Sequence, residues 1–238
     1  MPDTAARIAF TADGTRFDGN GVTFIMNPYD EWYALVRALE LKEAQGSGTV
    51  TTITVGGADT EATIRKGLAI GADEAVRIDA QPEDAMQVAE LVAGWAKDKG
   101  FDLVLSGKET IDHNGGVVGA MVAELLGLPY VPQANKLDVA GDTATAEREV
   151  AGGVEALECK LPLVLSVSQG MAEQRIPNMR GIMAARTKPL QVVPAAAAAV
   201  PARTVRFELP PPKGAVKLIP AEEAERLIEL LHTEAKVI

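Results

Sequence analysis

The spacing of apolar positions changes along the chain, and the change divides it. Between residues 28 and 45, Trp32, Leu35, Val36, Leu39 and Leu41 recur near a 3.6-residue period, which predicts an amphipathic helix. Residues 49–55 are almost all Thr, Val and Ile and predict a strand. Helical spacing returns over 59–70, with Asp59 or Thr60 placed to cap it. A short strand at 75–78 follows, then a helix over 82–98 with Pro82 in its first turn. Residues 101–105 read as another strand and 114–126 as another helix. Strands alternating with helices of this length imply βαβ units and a mainly parallel sheet.

Beyond residue 134 the period shortens. Segments 135–139, 143–150 and 154–159 are β-like, with Gly141-Asp142 and Gly152-Gly153 at the turns, and predict an antiparallel meander. The apolar run Leu163 to Val167 is placed to rejoin the main sheet. The expected fold class is therefore α/β: an open, mainly parallel, Rossmann-like nucleotide-binding sheet with a β meander and a C-terminal arm. The expected domains are a core at 1–193, a proline-bounded linker at 194–203 and the arm at 204–238. The arm holds a strand-like 204–209, three prolines at 210–212 and an amphipathic helix near 220–234, and it is expected to leave the core.

Composition narrows the function classes. A net charge of −10 repels nucleic-acid phosphates and anionic membranes. The single cysteine, Cys159, excludes an internal disulfide framework and fits a reducing, cytoplasmic compartment. With two histidines and no Cys/His cluster, no metal site is expected. No apolar run reaches the roughly 18 residues that span a bilayer, and the start has no signal-peptide pattern.

Candidate chemistry lies at the carboxyl ends of the predicted strands, where open α/β sheets bind ligands. Leu103 to Val118 runs from an apolar strand through a loop holding Gly107, Lys108, Asp112, His113, Asn114, Gly115, Gly116 and Val117 to a helix start. Its glycines let a phosphate approach free backbone N–H groups. The same residues also fit a plain turn with a helix cap at Asp112 or Asn114. Asn27-Pro28-Tyr29-Asp30 either caps the first helix, with Pro28 at its first position, or faces a base or ribose. Val55, before Gly56-Gly57, is a third wall. Arg175, Met179, Arg180, Ile182 and Met183 mix flexible apolar groups with cations, as a docking surface or as an ordinary half-buried helix. No catalytic constellation and no P-loop is present, which argues against a nucleotide hydrolase.

These segments, in this order, resemble the electron transfer flavoprotein beta (small) subunit. The matching pieces are NPYDE at 27–31, TIRKGLAIGADEAVRI at 63–78, DLVLSGKETID at 102–112, EREVAGGVEALECKLP at 147–162 and IPNMRGIMAARTKPL at 176–190. The resemblance implies a non-catalytic carrier subunit that pairs with an alpha subunit, which holds most of the FAD. It implies structural AMP in this chain, contacted by Asn27, Pro28, Tyr29, Asp30, Val55 and the stretch Leu103 to Val118. It also implies a recognition loop at about 168–189, with Met179 as the apolar anchor for acyl-CoA-type dehydrogenases, and electron flow to a quinone oxidoreductase at the membrane.

Two departures alter these expectations. The loop His113-Asn114-Gly115-Gly116-Val117-Val118 is less polar than in better-known members, so phosphate binding would rest on backbone N–H groups. Electron-bifurcating relatives hold a second FAD in place of AMP; their usual Asp-Gly-Asp-Thr-Ala-Gln loop is not present. A module of related fold acting alone is the other alternative. The family's first strand is missing ahead of Pro2-Asp3-Thr4, as if the start were placed late at a valine codon. Four or five buried strand residues at ~1.5–3 kcal/mol each come to roughly 6–15 kcal/mol, about a whole domain's stability.

Overall fold

The computed structural model describes residues 1–197 and 202–238. The part of the linker at 198–201 lies outside the described residues. The first helix, α1, is Asp30–Gln45; its apolar spacing buries Ala34, Leu35, Val36 and Leu39. Tyr29 occupies the capping position, and no side chain caps the end. Asn27 is therefore not the cap, and Pro28 lies outside the helix. Strand β1 (Thr51–Val55) leads through Gly56-Gly57 and a 3-10 turn at Ala58–Thr60 into α2 (Glu61–Ile70). The Thr60 hydroxyl donates to the Gly57 carbonyl rather than accepting from the helix. After β2 (Glu74–Asp79), α3 (Ala85–Ala96) is capped by Asp84, whose carboxylate accepts from the Gln87 N–H. Pro82 thus precedes the helix instead of sitting in its first turn.

Strand β3 is Leu103–Gly107 and α4 is Val118–Leu126, so the loop between them is longer than the helical spacing at 114–126 predicts. Two strands were not legible as such. β4 (Tyr130–Ala134) contains Pro132, which argues against a strand, and β9 (Leu190–Pro194) merges into the alanine-rich linker. The meander is β5 (Lys136–Ala140), β6 (Thr143–Val150) and β7 (Gly153–Lys160); β8 is Leu163–Val167. Short helices α5 (Met179–Ala185) and α6 (Ala224–Leu230) lie in the docking stretch and the arm.

The parallel strands form two three-stranded sheets, β1-β2-β9 and β3-β8-β4, and the meander forms a third, antiparallel one. Register sets Ile53 beside Val76 and Leu105 beside Leu165. All five residues of β8 are buried, four of them apolar, as expected of an interior strand in a parallel sheet. β1 and β3 are only half-buried throughout, and each pairs on one side only. Helix α1 packs on β3 and β8, and α3 packs on β1 while Val104 of β3 joins its cluster. The two sheets are therefore held by helices, with a lane of unpaired strand edges on β1 and β3.

The arm begins on the chain's own N-terminal segment. Phe207 stacks on Phe10 with ring centroids 5.1 Å apart, and its N–H donates to the Gly14 carbonyl at 2.7 Å. No strand forms over 204–209. Farther out, Val216, Leu218 and Ile228 are exposed.

Candidate functional site

The segment before α1 lies against the loop that follows the carboxyl end of β3, and the two bound a candidate crevice. Asn27 is buried; its side-chain amide donates to the Glu109 carbonyl at 3.0 Å, and its amide oxygen accepts from the Tyr29 N–H at 3.3 Å. These bonds fix the 27–30 segment to the loop after β3. Asp30 is buried beside that loop. Burial raises its pKa, and the Glu109 backbone and the Lys108 charge partly offset the rise. Tyr29 is half-exposed at the mouth, and the Pro28 carbonyl accepts from the Gln174 side chain.

Gly107 has a reason the sequence did not suggest. A Cβ there would lie 2.5 Å from the Glu31 carboxyl carbon, so a larger residue would push the Glu31 carboxyl out of its place against β3. Gly119 plays the same part between α4 and the sheet, where a Cβ would meet the Ser106 hydroxyl at 2.7 Å. Glu31 Oε2 and Ser106 Oγ are buried without a hydrogen-bond partner. Such groups are uncommon in folded proteins and point to something that completes them. In the sequence Glu31 reads as an acid–base candidate without a catalytic set around it, and Ser106 is one position within the Leu103 to Val118 stretch; their burial without partners is visible only in the fold.

Beyond Gly107 the chain forms an open cradle. The Asn114 N–H donates to the Thr110 carbonyl at 2.7 Å, and Asn114 and Gly116 take positive φ, which turns the backbone outward. Among the described residues, the N–H groups of Gly115, Gly116 and Val117 have no acceptor. Directly after them α4 starts with no side-chain cap. Free N–H groups at a helix start suit an anion. Lys108 lies beside Glu109 at 3.4 Å, and Asp112 and His113 are exposed. Val55 ends β1 across the lane. Leu103 lies at the amino end of β3, packed with the core, about 13 Å of strand away from Gly107.

The docking stretch forms a second surface. Ile176 is 82% and Met179 73% exposed, and Met183 is also exposed, while Ile182 is less so. Ile176 was not singled out in the sequence; its prominence follows from its place in a loop just ahead of α5. Arg175 is bound by Glu43 in a two-point pair at 2.6 and 3.0 Å, which removes it from the free cations. Arg180 and Arg186 form no ion pair among the described residues. Also among the described residues, no group of His, Cys, Asp and Glu is arranged to hold a metal, and no helix is long and apolar enough to cross a membrane.

Burial pushes the Glu31 carboxyl up to about 7, with the Asn27 side chain and the Met1 ammonium pulling the other way. A carboxyl raised in the folded state adds stability that is full below its unfolded pKa of about 4.5 and is lost as pH rises through about 7. Glu31→Gln should therefore match the parent near pH 5 and exceed it by about 1–3 kcal/mol at pH 8. Urea melts at the two pH values check this; equal gaps at both would remove the buried charge as the cause.

Comparison with known proteins adds an independent line. The electron transfer flavoprotein domain matches residues 15–198. The electron transfer flavoprotein subunit beta of Bacillus subtilis (strain 168) is 40% identical over 237 residues, covering 94% of this chain and 91% of the relative. The protein of the same name from Syntrophomonas wolfei is 36% identical, covering 99% and 94%. The one from Homo sapiens is 35% identical, covering 80% and 76%.

Proposed function

The chain belongs to the electron transfer flavoprotein beta-subunit family, and from that premise we propose that it is the AMP-binding, donor-docking half of a heterodimer. FAD, held mainly by the alpha subunit, supplies the electron-accepting chemistry. This chain holds AMP in the crevice, docks acyl-CoA-type dehydrogenases, and works upstream of a quinone oxidoreductase in the cytoplasm or an equivalent reducing compartment. The observation that carries the nucleotide reading is the row of unpaired N–H groups at Gly115, Gly116 and Val117 before α4. The crevice is rich in carboxylates, so a phosphate there depends on these backbone donors and on Lys108. Asn27, Asp30 and Tyr29 line the other side, where a ribose or base would lie. The exposed Ile176, Met179 and Met183 form the apolar part of the docking surface, with Arg180 and Arg186 as free cations beside it.

The apolar arm residues Val216, Leu218, Leu227 and Ile228 exceed what a solvated tail would use. In this reading the arm packs on the alpha subunit. Its Phe207–Phe10 stack sets where it departs.

The lane between β1 and β3 belongs to the same proposal: an apolar strand, parallel to both, completes a single sheet there. Two half-buried strand edges without partners support it, as each buried N–H or C=O left without a partner costs about 1–3 kcal/mol. The Met1 ammonium acts on Glu31 at the Gly107 end of the lane, so a strand joined there would run parallel.

Three measurements test the proposal. Mass spectrometry of small molecules released by denaturing the heterodimer should find one AMP per chain. Two FAD per heterodimer would move the protein to the bifurcating class, and release of neither nucleotide would remove the crevice reading. Removing residues 204–238 should abolish pairing with the alpha subunit while the α/β core keeps its circular dichroism; a truncated chain that still pairs shows the arm is dispensable. A chain carrying an apolar strand of ~5–10 residues ahead of Met1 should melt about 10 °C or more above the 238-residue chain. Equal melting temperatures would mean the lane is closed by other means.

A further inference from the structure

Helix α5 carries Met179 and Met183 but has only seven residues, too few to hold helical shape without support. Its support comes from α2, through a reciprocal arrangement of cations and carbonyls. Arg65 of α2 donates from Nη1 to the carbonyls of Ala185 and Lys188, both at 2.8 Å, at the carboxyl end of α5. Lys188, just past α5, donates from Nζ to Leu68, Gly71 and Ala72 at 3.0, 3.2 and 2.5 Å, at the carboxyl end of α2. Each helix thus presents a cation to the other's unpaired carbonyls, where the partial negative charge of a helix end lies. Between the two caps the helices are in close contact. A Cβ at Gly181 would strike the Ala69 carbonyl oxygen, and Ala185 is buried with Ile64, Leu68 and Ala69. The start of α5 is fixed as well, by the Asn178 side chain accepting from the Gly181 N–H at 2.9 Å.

We infer that Arg65 and Lys188 are positioning residues for donor docking: they lock α5 onto α2 so that Ile176, Met179 and Met183 form a preformed surface. The inference rests on the docking role proposed above. Both cations are half-buried, with Arg65 Nη1 and Lys188 Nζ bonded to backbone carbonyls between the helices. A surface already ordered loses less conformational entropy when a partner binds, so loosening it weakens encounter more than it slows the electron step that follows. The flexible methionines then adjust only at their tips, on a fixed backbone.

The test uses the heterodimer and an acyl-CoA dehydrogenase reduced by an acyl-CoA thioester as electron donor. KM and kcat for flavin reduction are measured for Lys188→Met, Arg65→Met, Lys188→Arg and Met179→Ala. The two methionine variants keep the aliphatic stem and remove the charge. Each should raise KM about fivefold or more, exceeding any change in kcat, at parent flavin content. Lys188→Arg, which retains a donor to the same carbonyls, should restore most of the loss. A raised KM for Met179→Ala with parent-like KM for both Lys188→Met and Arg65→Met would overturn the clamp and leave docking intact. A parent-like KM for Met179→Ala would overturn the docking surface and the clamp with it. Should the charge-removal variants lose flavin, Gly181→Ala keeps both cations and lifts α5 from Ala69. Its KM should rise likewise, and a parent-like value would count against the inference.

Discussion

The rest of the structure depends on helix α1 serving two cores at once. Ala34, with Tyr33 and Leu41, packs into the cluster of Leu163, Leu165 and Leu137, which joins β8 to the meander. Leu35, Val36 and Leu39, with Trp32, pack into the cluster of Ile64, Leu68 and Ile70 from α2. One helix with apolar residues over this wide an arc holds both parallel sheets in place while β1 and β3 share no hydrogen bonds. Its polar side chains reach outward in the same way. Arg37 donates to the Leu137 carbonyl of the meander, Lys42 pairs with Asp73 at 2.5 Å ahead of β2, and Glu43 binds Arg175 ahead of α5. Each contact fixes a different part of the chain relative to the same rod.

The amino end of α1 sets the crevice. The approach of Glu31 to Gly107 brings Asn27 and Asp30 to the loop after β3, and Asn27 then holds Glu109. The result is a crevice with many carboxylates and few cationic side chains. The proposed phosphate would there depend on the unpaired N–H groups before α4 rather than on the net charge of −10. Glu31 itself is placed at a cost. One of its carboxyl oxygens is buried without a hydrogen-bond partner, and burial raises its pKa.

The carboxyl end of α1 reaches the docking stretch through Glu43, and α2 reaches it through Arg65 and the contact at Gly181. Helix α1 thus reaches both surfaces of interest, one from each end, and α2 supports the docking stretch. In the sequence this stretch looks like a loose mixture of methionine and arginine. In the folded chain Arg175 is paired with Glu43 and Lys188 is engaged on α2 carbonyls, while Ile176, Met179, Met183, Arg180 and Arg186 remain exposed.

The alternation of apolar periods was enough to determine an α/β chain, the helices α1, α2 and α3 to within a few residues, the meander with its glycine turns, and β8, because apolar burial imposes those periods directly. The ends of elements were less legible. Asp84 rather than Pro82 starts α3, and Asn27 bonds to Glu109 rather than capping α1, since a polar side chain's partner can come from anywhere in the fold. β4 and β9 were missed because Pro132 and Pro194 suit sheet edges as well as loops, and only pairing with β8 and β2 decides between them. The residue types of the crevice and docking stretch were present in the sequence. That Gly107 serves Glu31, that Lys188 reaches three carbonyls more than a hundred residues earlier, and that Ile176 stands out are long-range facts. Local pattern carries no information about them, because they are set by how helices pack on sheets and not by how either one forms.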